Sequence, residues 1–195
     1  MTWWDAALIA VGAATVLAVL AAALKRDRLA LPGVAVLLGV LALRTVGVQV
    51  PTEPWFAPLL TLGLVSLATA GGGPLVAFLL RVIVKTPQKA GKHGGIVLAD
   101  DDAEESPNRV KKAKTKAGHE VLRGGATIGY LERFAVVGAV LVGQPAAVAI
   151  IVAVKGLGRF TELDSAAARE RFIVGSLGSL IWAATCATAI VGAWA

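Results

Sequence analysis

Long apolar runs, divided by short charged or turn-forming segments, are the feature that most limits how this chain can fold. The runs cover residues 3–24, 29–50, 55–84 and 172–194, with a further apolar region between residues 128 and 160. A helix needs about 20 apolar residues to cross a hydrocarbon core about 30 Å thick. With 56% hydrophobic and 16% charged residues, the chain lies outside the usual balance of soluble domains. The sequence therefore predicts an all-α, polytopic membrane helix bundle with about six transmembrane spans.

The charged residues divide the chain into three regions. Residues 1–84 hold three predicted spans, residues 85–122 form a charged cytoplasmic loop, and residues 123–195 form a C-terminal module with a helical hairpin and the last span. The loop ends in a basic block between Lys111 and Lys116, for which anionic lipid headgroups are a candidate partner. The net charge of +6 comes from residues beside apolar runs, where they orient the protein in lipid. Membrane lipids, and not nucleic acid, are therefore the expected partners.

Orientation follows from where lysine and arginine are dense. The first run has neither residue before it and is followed by the basic segment 25–28, which predicts a membrane span and not a cleaved signal peptide. The positive-inside rule then places residues 25–28 and 85–122 in the cytoplasm. Both termini are predicted to be extracytoplasmic.

The third run contains a candidate helix break. Its 30 residues would make a helix about 45 Å long, and its middle holds Gly71, Gly72, Gly73 and Pro74. Flexible residues beside a proline predict a kink or a break. One alternative is a kink with the rest of the helix along the interface. The other is a discontinuous helix whose freed backbone groups line a polar site.

A hairpin is predicted between residues 128 and 160. If Gly143, Gln144 and Pro145 form a tight external turn between two short spans, every dense cluster of lysine and arginine falls on one face of the membrane. A re-entrant hairpin that does not reach the far side gives the same charge placement, so this alternative stays open.

The hairpin would also align opposite charges. Glu132 lies 11 residues before Gly143, and Lys155 lies 11 residues after Gln144, with Arg159 one helical turn further on. The predicted cluster of Glu132, Lys155 and Arg159 is either a stapling ion pair or a cation, proton or headgroup site with Glu132 as its acid.

Other polar or small residues have less specific meanings. Arg44 is predicted to extend to the membrane surface from the outer part of its span. Gly175 and Ser179 form a small-xxx-small face for helix packing, within one chain or between two copies in a homo-oligomer. Cys186 is the only cysteine and is expected to be a small core residue. His93 and His119 lack neighbouring ligands at metal-binding spacing, so neither a metal nor a cofactor is predicted.

The C-terminal module resembles a known family. It resembles a module of an uncharacterised family of bacterial integral membrane proteins. The similar segments are residues 124–133, Gly143 with Gln144, residues 155–160 and residues 172–179. The family's pattern in these segments is Ile-Gly-x-Leu-Glu-Arg, Gly-Gln, Ala-Lys-Ser-x-x-Arg-Phe and Ile-Gly-Thr. The resemblance covers residues 124–182. This chain departs from the pattern at Val154 and at Gly156, where the family has serine, and has Val174, Gly175 and Ser176 for the last piece. The resemblance implies a bacterial inner-membrane protein with this hairpin, and it implies no activity.

Three classes of function are compatible with these features. A membrane scaffold or interaction subunit ranks first. A transport component for a small solute, ion or lipid ranks second, because it would use the third-helix break and the Glu132 cluster. A lipid-processing enzyme ranks last, because no convergent set of nucleophiles, acids or metal ligands is found.

Overall fold

A computed structural model describes residues 2–83, 125–158 and 166–194, and every regular element in these ranges is a helix. The elements are α1 (Trp3–Leu24), a short 3-10 helix (Asp27–Ala30), α2 (Leu31–Thr45), α3 (Phe56–Ile83), α4 (Gly125–Leu141), α5 (Ala147–Leu157) and α6 (Ala166–Trp194). The predicted all-α bundle is confirmed. The predicted loop 85–122, with its Lys111 to Lys116 block, lies outside the described residues.

Four helical segments are long and apolar enough to cross a membrane: Trp3–Leu24, Asp27–Thr45, Phe56–Ile83 and Ala168–Gly192. The hairpin arms α4 and α5 are shorter, with 17 and 11 residues. At 1.5 Å per residue, the described part of α5 is about 16 Å long, which is about half of a hydrocarbon core. The described residues therefore contain four helices of spanning length and one short-armed hairpin.

The centre of the bundle is formed by α3 and α6. On α3, Leu60, Leu64 and Leu67 are fully buried, and their spacing of three or four residues places them on one helix face. On α6, Cys186 and Ile190 are fully buried and belong to the same hydrophobic core. The helices α1 and α4 pack against α3, and α4 also packs against α6. The core thus consists of one apolar face from each of several helices.

The hairpin turn has a defined backbone geometry. Gly143 adopts a φ of 73°, its N–H donates to the Val140 carbonyl at 3.1 Å, and the Gln144 N–H donates to the Ala139 carbonyl at 2.8 Å. This pair of bonds is the Schellman motif, which ends helices at a residue in the left-handed conformation. The tight turn predicted at Gly143, Gln144 and Pro145 is confirmed.

The same motif ends α2 earlier than the sequence predicted. Gly47 has a φ of 76°, and the Val48 N–H donates to the Leu43 carbonyl at 3.0 Å. The helix ends at Thr45, so the last five residues of the apolar run 29–50 belong to the connection to α3. Apolar character continues beyond the helix because a glycine, and not a polar residue, ends it.

Of the two alternatives for the third run, the discontinuous helix is wrong, and the kink stays a prediction. The helix α3 runs without interruption from Phe56 to Ile83, with Pro74 inside it. A proline removes one backbone hydrogen bond, and neighbouring helices can compensate for that loss within a membrane bundle. Gly71 and Gly72 are buried, and side chains of neighbouring helices occupy the space beside them. These glycines therefore serve close packing and not an opening of the helix.

The two ends of the bundle differ in their residues. At one end, the Trp4 and Phe56 rings meet edge to face at 6.3 Å, and Trp194 Nε1 donates to Thr61 Oγ1 at 2.9 Å. At the opposite end, Arg81 pairs with Asp27 at 2.7 Å. We call them the tryptophan end, which contains Trp3, Trp4, Trp55 and Trp194, and the basic end, which contains Lys25, Arg26, Arg28 and Arg81. Tryptophans typically mark membrane interfaces, and dense positive charge marks a cytoplasmic face.

Candidate functional site

Glu132 of α4 and Lys155 of α5 form an ion pair, with the Lys155 ammonium donating to Glu132 Oε2. The two side chains are only 11% and 18% exposed. The ammonium also lies 5.9 Å from the centre of the Phe172 ring of α6, within the range of cation–π attraction. The predicted approach of Glu132 and Lys155 is confirmed. Arg159, the third member of the predicted cluster, lies outside the described residues.

A groove of about 450 Å³ opens between α4 and α5 around this pair. Among the described residues, Glu132 and Lys155 are its only charged lining residues. The rest of the lining is apolar or glycine: Ile128, Leu131, Ala135, Ile150, Ile151, Val154 and Gly158. In the register that brings Glu132 opposite Lys155, four apolar residues, Ala135, Ile150, Ile151 and Val154, lie on the side of the pair towards the hairpin turn.

A second charged site was missed by the sequence reasoning. Arg133, next to Glu132, is only 5% exposed. Its Nε donates to the Thr69 carbonyl of α3 at 2.8 Å, and its Nη1 donates to Ser179 Oγ of α6 at 3.3 Å. Thr69 and Ser179 lie near the middle of their helices. Arg133 therefore joins three helices deep in the bundle.

The glycines of α3 and α4 make room for the Arg133 side chain. A Cβ added at Gly72 would lie 2.4 Å from Arg133 Cδ and 2.8 Å from its Nε, and one added at Gly129 would lie 3.2 Å from its Nη1. The guanidinium also lies 5.0 Å from the centre of the Tyr130 ring. Where the structure describes the chain, the carboxylates of Asp27 and Glu132 pair with Arg81 and Lys155, and neither pairs with Arg133.

Glu132 and Arg133 point to different sides of α4. Consecutive helix residues are about 100° apart, so Glu132 faces α5 while Arg133 faces α3 and α6. The sequence contained a signal for this site, since three consecutive glycines can accept a large side chain from a neighbouring helix. From sequence alone the same residues predict a kink or a break, because glycine and proline are also the residues that bend or break helices.

Trp182 of α6 fills the rest of the space beside the glycines. Its Nε1 donates to the Leu67 carbonyl at 3.3 Å, and a Cβ added at Gly71 would lie 3.1 Å from its ring. The ring also lies beside Gly33 of α2. Trp182 and Arg133 together occupy the polar site that a broken helix would have opened.

The predicted packing face on α6 lies against α3 of the same chain. A Cβ added at Gly175 would lie 3.4 Å from Val76 and 3.6 Å from Leu80. Ser179 is buried and accepts the hydrogen bond from Arg133. Gly175 and Ser179 thus serve helix contacts inside one molecule.

Arg44 does not simply extend to the surface. A Cβ added at Gly192 of α6 would lie 2.4 Å from Arg44 Nε, so the guanidinium packs on α6. Its Nη1 is buried without a hydrogen-bond partner. The side chain is half-buried, because Gly192 leaves space for it to lie against α6.

Comparison with known proteins gives no relative. No family model matches the chain, no curated protein matches it, and no solved structure matches it. Within the described ranges, no group of three or more His, Cys, Asp or Glu side chains could hold a metal ion. His93 and His119 lie outside those ranges.

Proposed function

We propose that this chain is an integral membrane scaffold or interaction subunit whose α4–α5 hairpin packs against a transmembrane helix of a partner. The observation that carries the proposal is the exposure of the apolar helix α5. Apart from Lys155 it consists of apolar residues and glycine, yet none of its residues is buried. The other helices of the bundle each bury an apolar face. A bacterial inner-membrane setting, with the basic end in the cytoplasm, belongs to the same proposal.

The side of α5 that faces away from the groove is suited to helix packing. The groove is lined by residues 150, 151, 154 and 155 of this helix. The opposite side, which we call the outer face, carries Ala149, Val152, Ala153 and Gly156. Ala149 and Ala153 are exposed, and a Cβ added at Gly156 would meet no atom within 4 Å. In lipid, small residues at this spacing let two helix backbones approach closely.

The interior of the bundle gives less support to transport. Among the described residues, those that line the groove around Glu132 and Lys155 belong to α4, α5 and Gly158, and none belongs to α3. Arg133 and Trp182 fill the space beside the α3 glycines. The two charged sites therefore face different sides of α4, whereas a transport component would need a cavity that joins them.

Photo-crosslinking in cells tests the proposal. A photoreactive amino acid at Val152 on the outer face, 42% exposed, should form a discrete adduct with one membrane protein, either a second copy or another chain. The same amino acid at Val16 on α1, 59% exposed, should form none. Ala153→Trp should abolish the Val152 adduct by blocking close approach, while Ala13→Trp on the exposed side of α1 should leave it intact. An adduct that survives Ala153→Trp, or equal adducts from both positions, would refute an interface on α5.

A further inference from the structure

We propose that the groove between α4 and α5 binds one phospholipid that carries a primary ammonium in its headgroup, as phosphatidylethanolamine does. One acyl chain would lie along the apolar part of the groove, and the headgroup would lie on the Glu132–Lys155 pair. The site is separate from the outer face of α5, so it does not rest on the proposed function.

The shape and lining of the groove fit an acyl chain. Its volume of about 450 Å³ lies in the range of pockets that hold small ligands, about 300 to 1,000 Å³. Ile150 and Val154 are 66% and 65% exposed along it. Four apolar lining residues, Ala135, Ile150, Ile151 and Val154, lie on the side of the ion pair towards the hairpin turn, so a chain that starts at the pair and follows them would run away from the basic end. A lipid in one leaflet has this arrangement of headgroup and chain.

The polar end of the groove offers one donor group and one acceptor group. The Lys155 ammonium has three N–H donors, and the Glu132 carboxylate has two acceptor oxygens. The pair therefore keeps free capacity when the two groups bond to each other. A phosphate can accept from Lys155 while a primary ammonium donates to Glu132, which makes both new hydrogen bonds charge-assisted.

The charge of the pair discriminates between headgroups. Glu132 and Lys155 sum to zero, so a purely anionic headgroup would gain one attraction at Lys155 and meet repulsion at Glu132. A choline headgroup is zwitterionic, but its quaternary ammonium has no N–H to donate to the carboxylate. Only a headgroup with both a phosphate and an N–H-bearing ammonium uses both partners. The expected preference is therefore ethanolamine over choline and over glycerol headgroups.

Native mass spectrometry of the full chain released from detergent tests this preference. The protein would be titrated with phosphatidylethanolamine, phosphatidylcholine and phosphatidylglycerol of identical acyl chains. We expect the ethanolamine lipid to bind at least about tenfold more tightly, as for the gain of one hydrogen bond to a charged group. Glu132→Gln should reduce its affinity to that of the choline lipid.

Variants distinguish lipid that binds in the groove from lipid that associates non-specifically with the protein surface. Ala135→Trp fills the groove and should abolish retention of all three lipids, while Ala13→Trp on the exposed side of α1 should leave retention unchanged. Thermal unfolding of each variant would show that it is folded. Equal affinities of the three lipids for the unmodified protein would overturn the proposal without any variant. Retention that is unchanged by a folded Ala135→Trp protein would overturn it as well.

Discussion

Arg133 places a guanidinium near the middle of α3 and α6, where it is 5% exposed. Its described hydrogen bonds go to a backbone carbonyl and a hydroxyl, both of which are neutral. A charged side chain within the hydrocarbon is costly, up to about 2.5 to 3.5 kcal/mol at the helix centre on insertion scales. Such residues normally face the bundle interior and bond to partners there. On α3, Gly72 leaves the space that the Arg133 side chain occupies. The position of the arginine therefore depends on this glycine.

We predict opposite effects for alanine at two adjacent glycines. At Gly72 the added Cβ would lie 2.4 Å from Arg133 Cδ, a contact with the middle of a hydrogen-bonded side chain that cannot simply swing away. Gly72→Ala should therefore destabilise the protein by about 1 to 3 kcal/mol, the usual cost of overpacking. At Gly73 the nearest atom would be 3.9 Å away. Gly73→Ala should be neutral or stabilising by up to about 1 kcal/mol, because alanine is the better helix former.

Reversible unfolding in detergent would measure both changes, and Gly73→Ala is the matched control. On helix propensity alone both substitutions should be harmless. If Gly72→Ala is as stable as Gly73→Ala, the position of Arg133 against α3 is wrong.

The helix α5 is held by fewer contacts than the other helices, and those contacts are mainly with α4. None of the residues of α5 is buried, and its charged connection to the bundle is the Glu132–Lys155 pair beside Phe172. Because both side chains are mostly shielded from water, removing one partner leaves the other charge poorly solvated. The pair therefore matters more for the position of α5 than a surface ion pair would.

Glu132→Gln should destabilise the folded protein by about 1 to 3 kcal/mol, the cost of breaking a hydrogen bond to a charged group. A double-mutant cycle with Lys155→Met should give a positive coupling energy, measured by unfolding in detergent. A cycle that pairs Glu132→Gln with Arg81→Met is the control, since Arg81 bonds to Asp27. A coupling energy near zero in the first cycle would remove the pair as a connection between α4 and α5.

Sequence patterns predicted the elements better than they predicted their contacts. The apolar runs located α1, α3 and the hairpin turn because length and glycine position are local properties. The matched distances of Glu132 and Lys155 from the turn were sufficient to pair them, since a hairpin fixes register. The Arg133 site joins residues of three helices, and no local pattern states which side of α4 faces α3. For the same reason the glycines near Pro74 predicted a kink or a break and not a packing surface.

At the scale of the whole molecule, the two ends differ in their exposed tryptophans and in their positive charge. Exposed tryptophans, Trp3, Trp55 and Trp194, belong to the tryptophan end, and they are 75%, 55% and 62% exposed. Lys25, Arg26, Arg28 and Arg81 belong to the basic end, whereas Arg44 packs beside Gly192, two residues from Trp194. Tryptophans favour the interface, and positive residues favour the cytoplasmic side. We therefore expect the basic end to lie in the cytoplasm and the tryptophan end at the outer surface.

Cysteine labelling in a Cys186→Ala background measures this orientation. Thr52, in the connection between α2 and α3, lies beside Trp3 and Trp4 at the tryptophan end, and both Thr52 and Gln144, in the hairpin turn, are exposed. Cysteines at these positions should react with a membrane-impermeant reagent added to intact cells. A cysteine at Arg26 should react only after permeabilisation.

Each deviation from this pattern has a defined meaning. Labelling at Arg26 and not at Thr52 in intact cells would reverse the orientation. Labelling at Thr52 without labelling at Gln144 would mean that the hairpin is re-entrant, since the described part of α5 is about half the length of a hydrocarbon core.

The order in which the helices are synthesised affects the surroundings of Arg133. In the chain, α4 is synthesised before α6, so Arg133 enters the membrane while Thr69 and the α3 glycines are present and Ser179 is not. Until α6 arrives, the guanidinium has only one of its two described partners and lacks the helix that covers it. A nascent chain that stalls before α6 therefore exposes to lipid a guanidinium that the complete bundle buries. This exposed cation distinguishes an unfinished molecule from a finished one.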